Sequence, residues 1–288
     1  MGKTLRTTLA AGSALAALAL SACGSTTPAT NAVDNAAPKV ATNVAGTLTI
    51  GTDLTYPPYD TLENGKPAGF DVELMNALAG KLGVKANFVD TRFAQIVAGI
   101  KADRYDAIAS TLYVSAARAK EVDFVPYFQT GNSIISRADG PAYVAAQDLC
   151  GKSVGVVTAT VIASIMPKEE SDLCKKNGKG PITVKEFPTD PEATQALLSG
   201  QVDAQMTDGA VAKVAVDKTS GRLKLTSTEL IYPIAVGIGV QKGDAQLQEA
   251  LEGALKELQA DGSYEALLAK YNLEPVDPTV LKESLNRK

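Results

Sequence analysis

Apolar and polar positions recur with two different periods along most of this chain. Residues 47–52, Thr-Leu-Thr-Ile-Gly-Thr, predict a buried strand. Leu74, Met75, Leu78 and Leu82 fall on one helical stripe, with Asp71 expected as its N-cap and Gly83 as its stop. A strand is predicted over 84–89. Phe93, Ile96, Val97 and Ile100 then stand at i, i+3, i+4 and i+7, one face of a helix, and 105–109 is a short apolar strand. After a loop at 138–141 a second series begins. It holds a strand at 153–157, a helix from near Thr160, and a strand at 182–187. Next comes a helix opened by Asp190 as N-cap and Pro191 as first residue, running to Ser199. A strand at 202–206 and a helix capped by Asp208 follow. Strands at 223–226 and 235–240 lead to a helix capped by Asp244, with Leu247, Leu251, Leu255 and Leu258 on one face, and a last helix over 264–271.

Two α/β series linked by extended segments predict two lobes with a cleft between them. Ligands of parallel sheets sit beyond the carboxyl ends of the strands, where helix N-termini converge. That rule places 53–59, 110–118, 158–160 and Asp208 at the cleft.

The N-terminal segment breaks the pattern. A run of mostly Ala and Leu at 9–20 follows Lys3 and Arg6. Its length suits a secretory signal and falls short of the roughly 20 apolar residues of a spanning helix. Leu20-Ser21-Ala22-Cys23-Gly24 resembles a bacterial lipobox, which implies removal of 1–22 and acylation of Cys23. Lipid on one Cys tethers a protein to a bilayer without crossing it. Residues 24–45 are polar and aperiodic, as expected of a flexible tether.

Composition narrows the chemistry. The 288 residues leave room for two domains, and 45% hydrophobic with 21% charged residues suits a globular protein. There is no His, which removes Ser-His-Asp and Cys-His catalysis and His-ligated zinc. The net charge of −4 argues against a nucleic-acid partner. Cys150 and Cys174 are an even pair in an exported chain, so a disulfide is expected, and no metal site.

Several segments together resemble a known family. They are Gly51-Thr52-Asp53-Leu54-Thr55-Tyr56-Pro57-Pro58-Tyr59, Gly69-Phe70-Asp71-Val72-Glu73-Leu74 and Tyr105-Asp106-Ala107-Ile108. Arg118, Val122-Asp123-Phe124, Ser199-Gly200-Gln201-Val202-Asp203-Ala204 and Gly237-Ile238-Gly239-Val240 continue the series. In order and spacing they resemble the bacterial extracellular solute-binding proteins of family 3, the polar amino-acid receptors of ABC importers. The resemblance implies an α/β, two-lobed periplasmic-binding-protein fold of type II, joined by two crossings near 132–136 and 233–237. It implies lobe one at 47–136 and 237–288 and lobe two at 137–236, after a signal at 1–22 and a tether at 23–46. It further implies a monomeric receptor without a cofactor. Such a receptor takes an amino acid or related small amine and delivers it to ABC permease subunits from the outer face of the cytoplasmic membrane.

The family's site residues carry over by position. Arg118 would hold a carboxylate bidentately, with Ser110 and Thr111 as polar neighbours. Thr160 would present backbone N–H groups at a helix N-terminus, although Ala159 stands where the family usually has Gly, which leaves the turn's geometry open. Asp208 would accept the α-ammonium, or serve only as a helix cap; Asp203 is expected to be structural. Asp53 and Tyr56 would face the ligand's side chain, Phe93 would line the same pocket or only fill the core, and Tyr59 would lie in the pocket or at its rim. Tyr113 departs from the family's Ser or Thr. It is either solvent-facing or a ring that reshapes the pocket for a cationic or bulkier ligand, such as a methylated ammonium compound. Two alternatives stand beside the receptor. One is a prephenate/arogenate dehydratase-like enzyme on the same fold, for which Asp53 and Asp208 are acids but nothing indicates a raised pKa. The other is a ligand-sensing module, against which the chain's end soon after the last family motif is taken to weigh.

Overall fold

A computed structural model describes residues 40–287. The signal segment, the acylated Cys23 and most of the tether expected from the sequence lie outside the described residues.

The first α/β series runs β1 (Thr47–Thr52), a hairpin of β2 (Thr61–Glu63) and β3 (Lys66–Ala68), α1 (Phe70–Leu82), β4 (Lys85–Asp90), α2 (Phe93–Lys101) and β5 (Ala107–Ile108). A single strand, β6 (Val122–Arg137), then leads into the second series. That series holds β7 (Ser153–Val157), α3 (Val161–Ile165), α4 (Ser171–Lys176), β8 (Thr183–Phe187), α5 (Asp190–Leu198), β9 (Ala204–Asp208), α6 (Gly209–Lys218) and β10 (Leu223–Leu225). The chain returns along β11 (Ile231–Gln241) and ends with α7 (Ala245–Ala260), α8 (Ser263–Tyr271) and α9 (Pro278–Asn286).

One curled, mixed sheet runs through both lobes in the order β4-β1-β5-β11-β6-β9-β7-β8, with β10 beside β6. β1 pairs in parallel with β4 and β5, and β7 pairs in parallel with β8 and β9, the two α/β layers that the alternation of periods predicts. β6 and β11 run antiparallel through the centre. β6 changes partner at Asn132, which pairs with Ile231 of β11 and with Asp208 of β9. The β11 register is irregular between Ile231 and Ile234, where Tyr232 takes a left-handed φ of 54°. The lobes are thus joined by continuous strand that loses regular pairing at the crossing.

The helices bury the stripes that define them. Leu74, Leu78 and Leu82 of α1 meet Leu247, Leu251, Leu255 and Leu258 of α7 in one core, while Ile96 and Ile100 of α2 pack on Tyr105, Ile108 and Leu112 in another. The second lobe is built around Leu149, Val154, Val156, Ile162, Met166 and Met206. Cys150 and Cys174 form the expected disulfide there, with Cα atoms 5.5 Å apart.

Three features were not anticipated. The β2–β3 hairpin lacks an alternating pattern in six short, largely exposed positions. β6 reads as scattered family motifs because burial on both faces hides a period of two. α9 folds beyond the last helix predicted from the sequence, with Asp277 capping it and Pro278 in its first turn.

Candidate functional site

The carboxyl ends of β1, β5, β7 and β9 converge with the N-termini of α2, α3 and α5 on one cavity, with about 560 Å³ of space between atoms, part of it open to solvent. Asp53, Tyr56, Phe93, Ser110, Thr111, Tyr113, Arg118 and Thr160 line it; Tyr59 and Asp208 do not.

Asp53 directly follows β1 and is held by three partners. Its carboxylate accepts from Thr55 Oγ1 at 2.7 Å and the Phe93 backbone N–H at 2.8 Å, and pairs with Arg92 Nη1 at 2.9 Å. Burial nevertheless raises its pKa above the ordinary aspartate value. The cation that Asp53 faces is therefore a side chain of the protein itself. Phe93 serves both purposes proposed for it. It opens α2 against the Ile96–Ile100 core and also stands at the cavity, with the Arg118 guanidinium 5.2 Å from its ring centre.

Ser110 Oγ accepts from the Asp53 N–H at 2.9 Å, which ties the β1 and β5 ends together. Thr111 adopts a left-handed φ of 46°, a costly conformation for a β-branched residue. It is fixed by its N–H donating to Asp71 Oδ2 at 2.6 Å. Asp71 is thus not the N-cap of α1. Gly69 takes that position, and the Asp71 carboxylate turns inward to accept from Thr111 and from Tyr127 Oη at 2.6 Å. Burial pushes its pKa up to about 6.

Arg118 is half-buried at the cavity. Nη1 donates to the Tyr113 carbonyl at 2.8 Å and Nη2 to the Ala159 carbonyl at 3.0 Å, the second bond reaching across to the other lobe. No carboxylate among the described residues forms an ion pair with it. Desolvation lowers its pKa to about 10, which leaves it charged at neutral pH.

On the opposite wall Thr160 caps α3, its hydroxyl accepting from the Ala163 N–H at 3.2 Å. Ala159 takes φ 64°, so the turn keeps the left-handed form that Gly would favour, at a conformational cost. The α5 cap falls one residue earlier than the sequence suggests. Thr189 is the N-cap and accepts from the Glu192 N–H, Asp190 is the first helical residue and Pro191 the second. Thr caps with its short hydroxyl, and the neighbouring carboxylate is freed from that duty. Asp190 is 4% exposed and lines the cavity. Gln205 Nε2 donates to it at 3.0 Å and the Thr207 hydroxyl also hydrogen-bonds it, while Thr194 Oγ1 lies 3.5 Å away with its proton directed to Gln205 Oε1. Burial raises its pKa to about 6, and Asp208 nearby adds to the rise. Sequence reasoning missed Asp190 as a cavity group, although the strand-end rule that selected the other loops applies equally to the loop after β8.

Asp208 caps α6 as expected, accepting from the Ala210 N–H at 2.9 Å. It stands behind the cavity wall, fully buried. Tyr59 Oη donates to its Oδ1 at 2.8 Å, while Thr130 Oγ1 and Tyr113 Oη donate to its Oδ2 at 2.8 and 2.9 Å. Tyr59 is accordingly in the core and not at the rim. Tyr113 is 6% exposed, so it is not solvent-facing; its ring lies between the cavity and Asp208. Burial holds the Tyr56, Tyr59 and Tyr113 hydroxyls well above their usual pKa, so they remain protonated donors. Asp203 accepts from the Ser153 N–H and hydroxyl at 2.8 and 2.7 Å, away from the cavity.

A cleft of this build, with a guanidinium that has no ion-pair partner among the described residues on one lobe and the buried Asp190 carboxylate on the other, fits a two-lobed small-solute receptor fold. The profile of the bacterial extracellular solute-binding proteins, family 3, matches residues 48–274, and the chain belongs to that family. It is 31% identical over 229 residues to the L-cystine-binding protein TcyJ of Escherichia coli (strain K12), covering 78% of this chain and 82% of that protein. Among solved structures, an ancestral arginine-binding protein bound to glutamine shares 33% identity at a TM-score of 0.72, covering 79% of this chain and 98% of the other. The ancestral amino acid-binding protein AncCDT-1, a precursor of cyclohexadienyl dehydratase, shares 30% at a TM-score of 0.66, covering 78% and 95%. No helix among the described residues is long and apolar enough to cross a membrane.

Proposed function

We propose that this protein is the extracytoplasmic substrate-binding component of an ABC importer, taking a polar amino acid or related small amine into the interlobe cleft. The observation that carries the proposal is Arg118. It is a charged guanidinium with no ion-pair partner among the described residues, placed at a cavity whose opposite wall holds the buried carboxylate of Asp190. A zwitterion supplies both missing partners at once. The ligand's carboxylate meets Arg118 and the Thr160 end of α3, where N–H groups converge. Relatives named for cystine and arginine binding support an amino-acid ligand.

Delivery follows from lobe closure. Lobe one spans 47–136 with 237–288, lobe two spans 137–236, and motion is absorbed where β6 changes partner and β11 loses register. Ligand contacts to both lobes select the closed form, and a permease reads it. Acylated Cys23 would hold the receptor at the outer face of the cytoplasmic membrane, and it acts without a cofactor and as a monomer.

The test is a thermal-shift and calorimetric screen of the purified protein against amino acids, betaines and ectoines. Ligand at 100 times its Kd stabilises by about 2.7 kcal/mol. Failure of every amino acid and amine to bind overturns the proposal. The likeness to a dehydratase precursor makes turnover a second measurement: incubation with prephenate or arogenate should return both unchanged.

A further inference from the structure

We propose that Asp190, rather than Asp208, receives the ammonium group of the ligand, and that Tyr113 sets this choice by covering Asp208. The inference rests on the amino-acid reading of the cleft. A carboxylate offers about four acceptor positions. Asp208 has all of them engaged: Tyr59 Oη and the Ala210 N–H on Oδ1, Thr130 Oγ1 and Tyr113 Oη on Oδ2. It is fully buried, and Tyr113, which does line the cavity, stands in front of it. An ammonium could reach Asp208 only by expelling a buried phenol from a charge-assisted bond.

Asp190 is in the reverse position. It lines the cavity and carries only neutral donors, Gln205 Nε2 at 3.0 Å and the Thr207 hydroxyl, while Thr194 Oγ1, 3.5 Å away, spends its single proton on Gln205. No Lys or Arg among the described residues pairs with it. Gln205 is locked in orientation, since its Oε1 accepts from Thr194 Oγ1 at 3.0 Å while its Nε2 points at Asp190. The carboxylate is therefore pre-positioned with acceptor capacity left for a cation. Because Thr189 performs the capping of α5, that helix does not need the Asp190 charge. The acceptor is displaced from the start of α6 to the start of α5, and an amino acid must present its ammonium toward α5 to be held.

The experiment uses the full chain in detergent. Calorimetry selects the tightest binder among the twenty common amino acids and L-cystine, and compares it with its desamino analogue. The affinity ratio of the two reads the ammonium contact. Asp190→Asn should collapse the ratio by about 10- to 150-fold, the range of a charge-assisted hydrogen bond. Asp208→Asn should keep the ratio even where absolute affinity falls. Persistence of the ratio in Asp190→Asn overturns the proposal, and so does its loss in Asp208→Asn, alone or in both. If Asp190→Asn does not fold, Tyr113→Ser decides: uncovering Asp208 should raise the ratio, and an unchanged or lowered ratio refutes the gate. Normal amino-acid binding with an Asp190-independent ratio removes this inference alone, whereas no binding by any amino acid removes the reading beneath it as well.

Discussion

Replacing Arg118 by Ala tests the cleft most directly. Two of the five guanidinium N–H groups are spent on the Tyr113 and Ala159 carbonyls, which leaves three for a ligand. A bidentate pair with a carboxylate makes two charge-assisted bonds at about 1.5–3 kcal/mol each. Their loss costs about 3–6 kcal/mol, or about 150- to 20,000-fold in Kd. The bond to Ala159 is lost in the same variant, which removes a contact between the lobes and lowers affinity further. Arg118→Lys keeps the charge and loses the planar fork, so an intermediate loss is expected. Calorimetry at about pH 7 with the best amino-acid ligand measures both, and unliganded melting temperatures confirm that the variants fold. An Arg118→Ala protein that is folded and binds within about threefold of the parent would show that the carboxylate rests elsewhere.

Other consequences follow from the same geometry. Ala159→Gly relieves a left-handed alanine worth about 1–2 kcal/mol and gives back part of that to unfolded-chain entropy, so the melting temperature should hold or rise slightly. Reduction of Cys150–Cys174, separated by 24 residues, should cost about 3 kcal/mol, seen as a fall in melting temperature with dithiothreitol. Asp71 and Asp190 have folded pKa values near 6, above their unfolded values, so the folded state binds more protons between about pH 6 and about pH 4. Stability should therefore rise as pH falls from about 7 to about 5, by up to about 1.4 kcal/mol per unit for each group. At lower pH it should drop again, as Glu73, Asp123 and Asp203, whose pKa values are lowered in the fold, lose their partners. A series of melting curves across pH checks both limbs. Gly99→Ala should destabilise by about 1–3 kcal/mol, because an added Cβ would lie 2.6 Å from Tyr105 Cζ in a packed core.

The sequence by itself determined the parts that depend on local periodicity and local chemistry. The stripes of α1, α2 and α7 fixed which faces are buried, and Asp208 and Asp244 were legible as caps because a short side chain before an apolar run can satisfy free N–H groups nearby. The loops at strand ends located most of the cavity wall by the same local logic. What tertiary structure decided is where buried carboxylates point. Asp71, Asp190 and Asp208 each stand near a helix start, and each was read as a cap from sequence. Only Asp208 is one, and only Asp190 reaches the cavity. The difference comes from partners far away along the chain: Tyr127 and Thr111 draw Asp71 inward, Tyr59, Tyr113 and Thr130 close over Asp208, and Gln205 steadies Asp190. A carboxylate's role follows the donors that surround it after desolvation, and those donors are brought together only by tertiary folding, within lobe one for Asp71, within lobe two for Asp190 and across the lobes for Asp208.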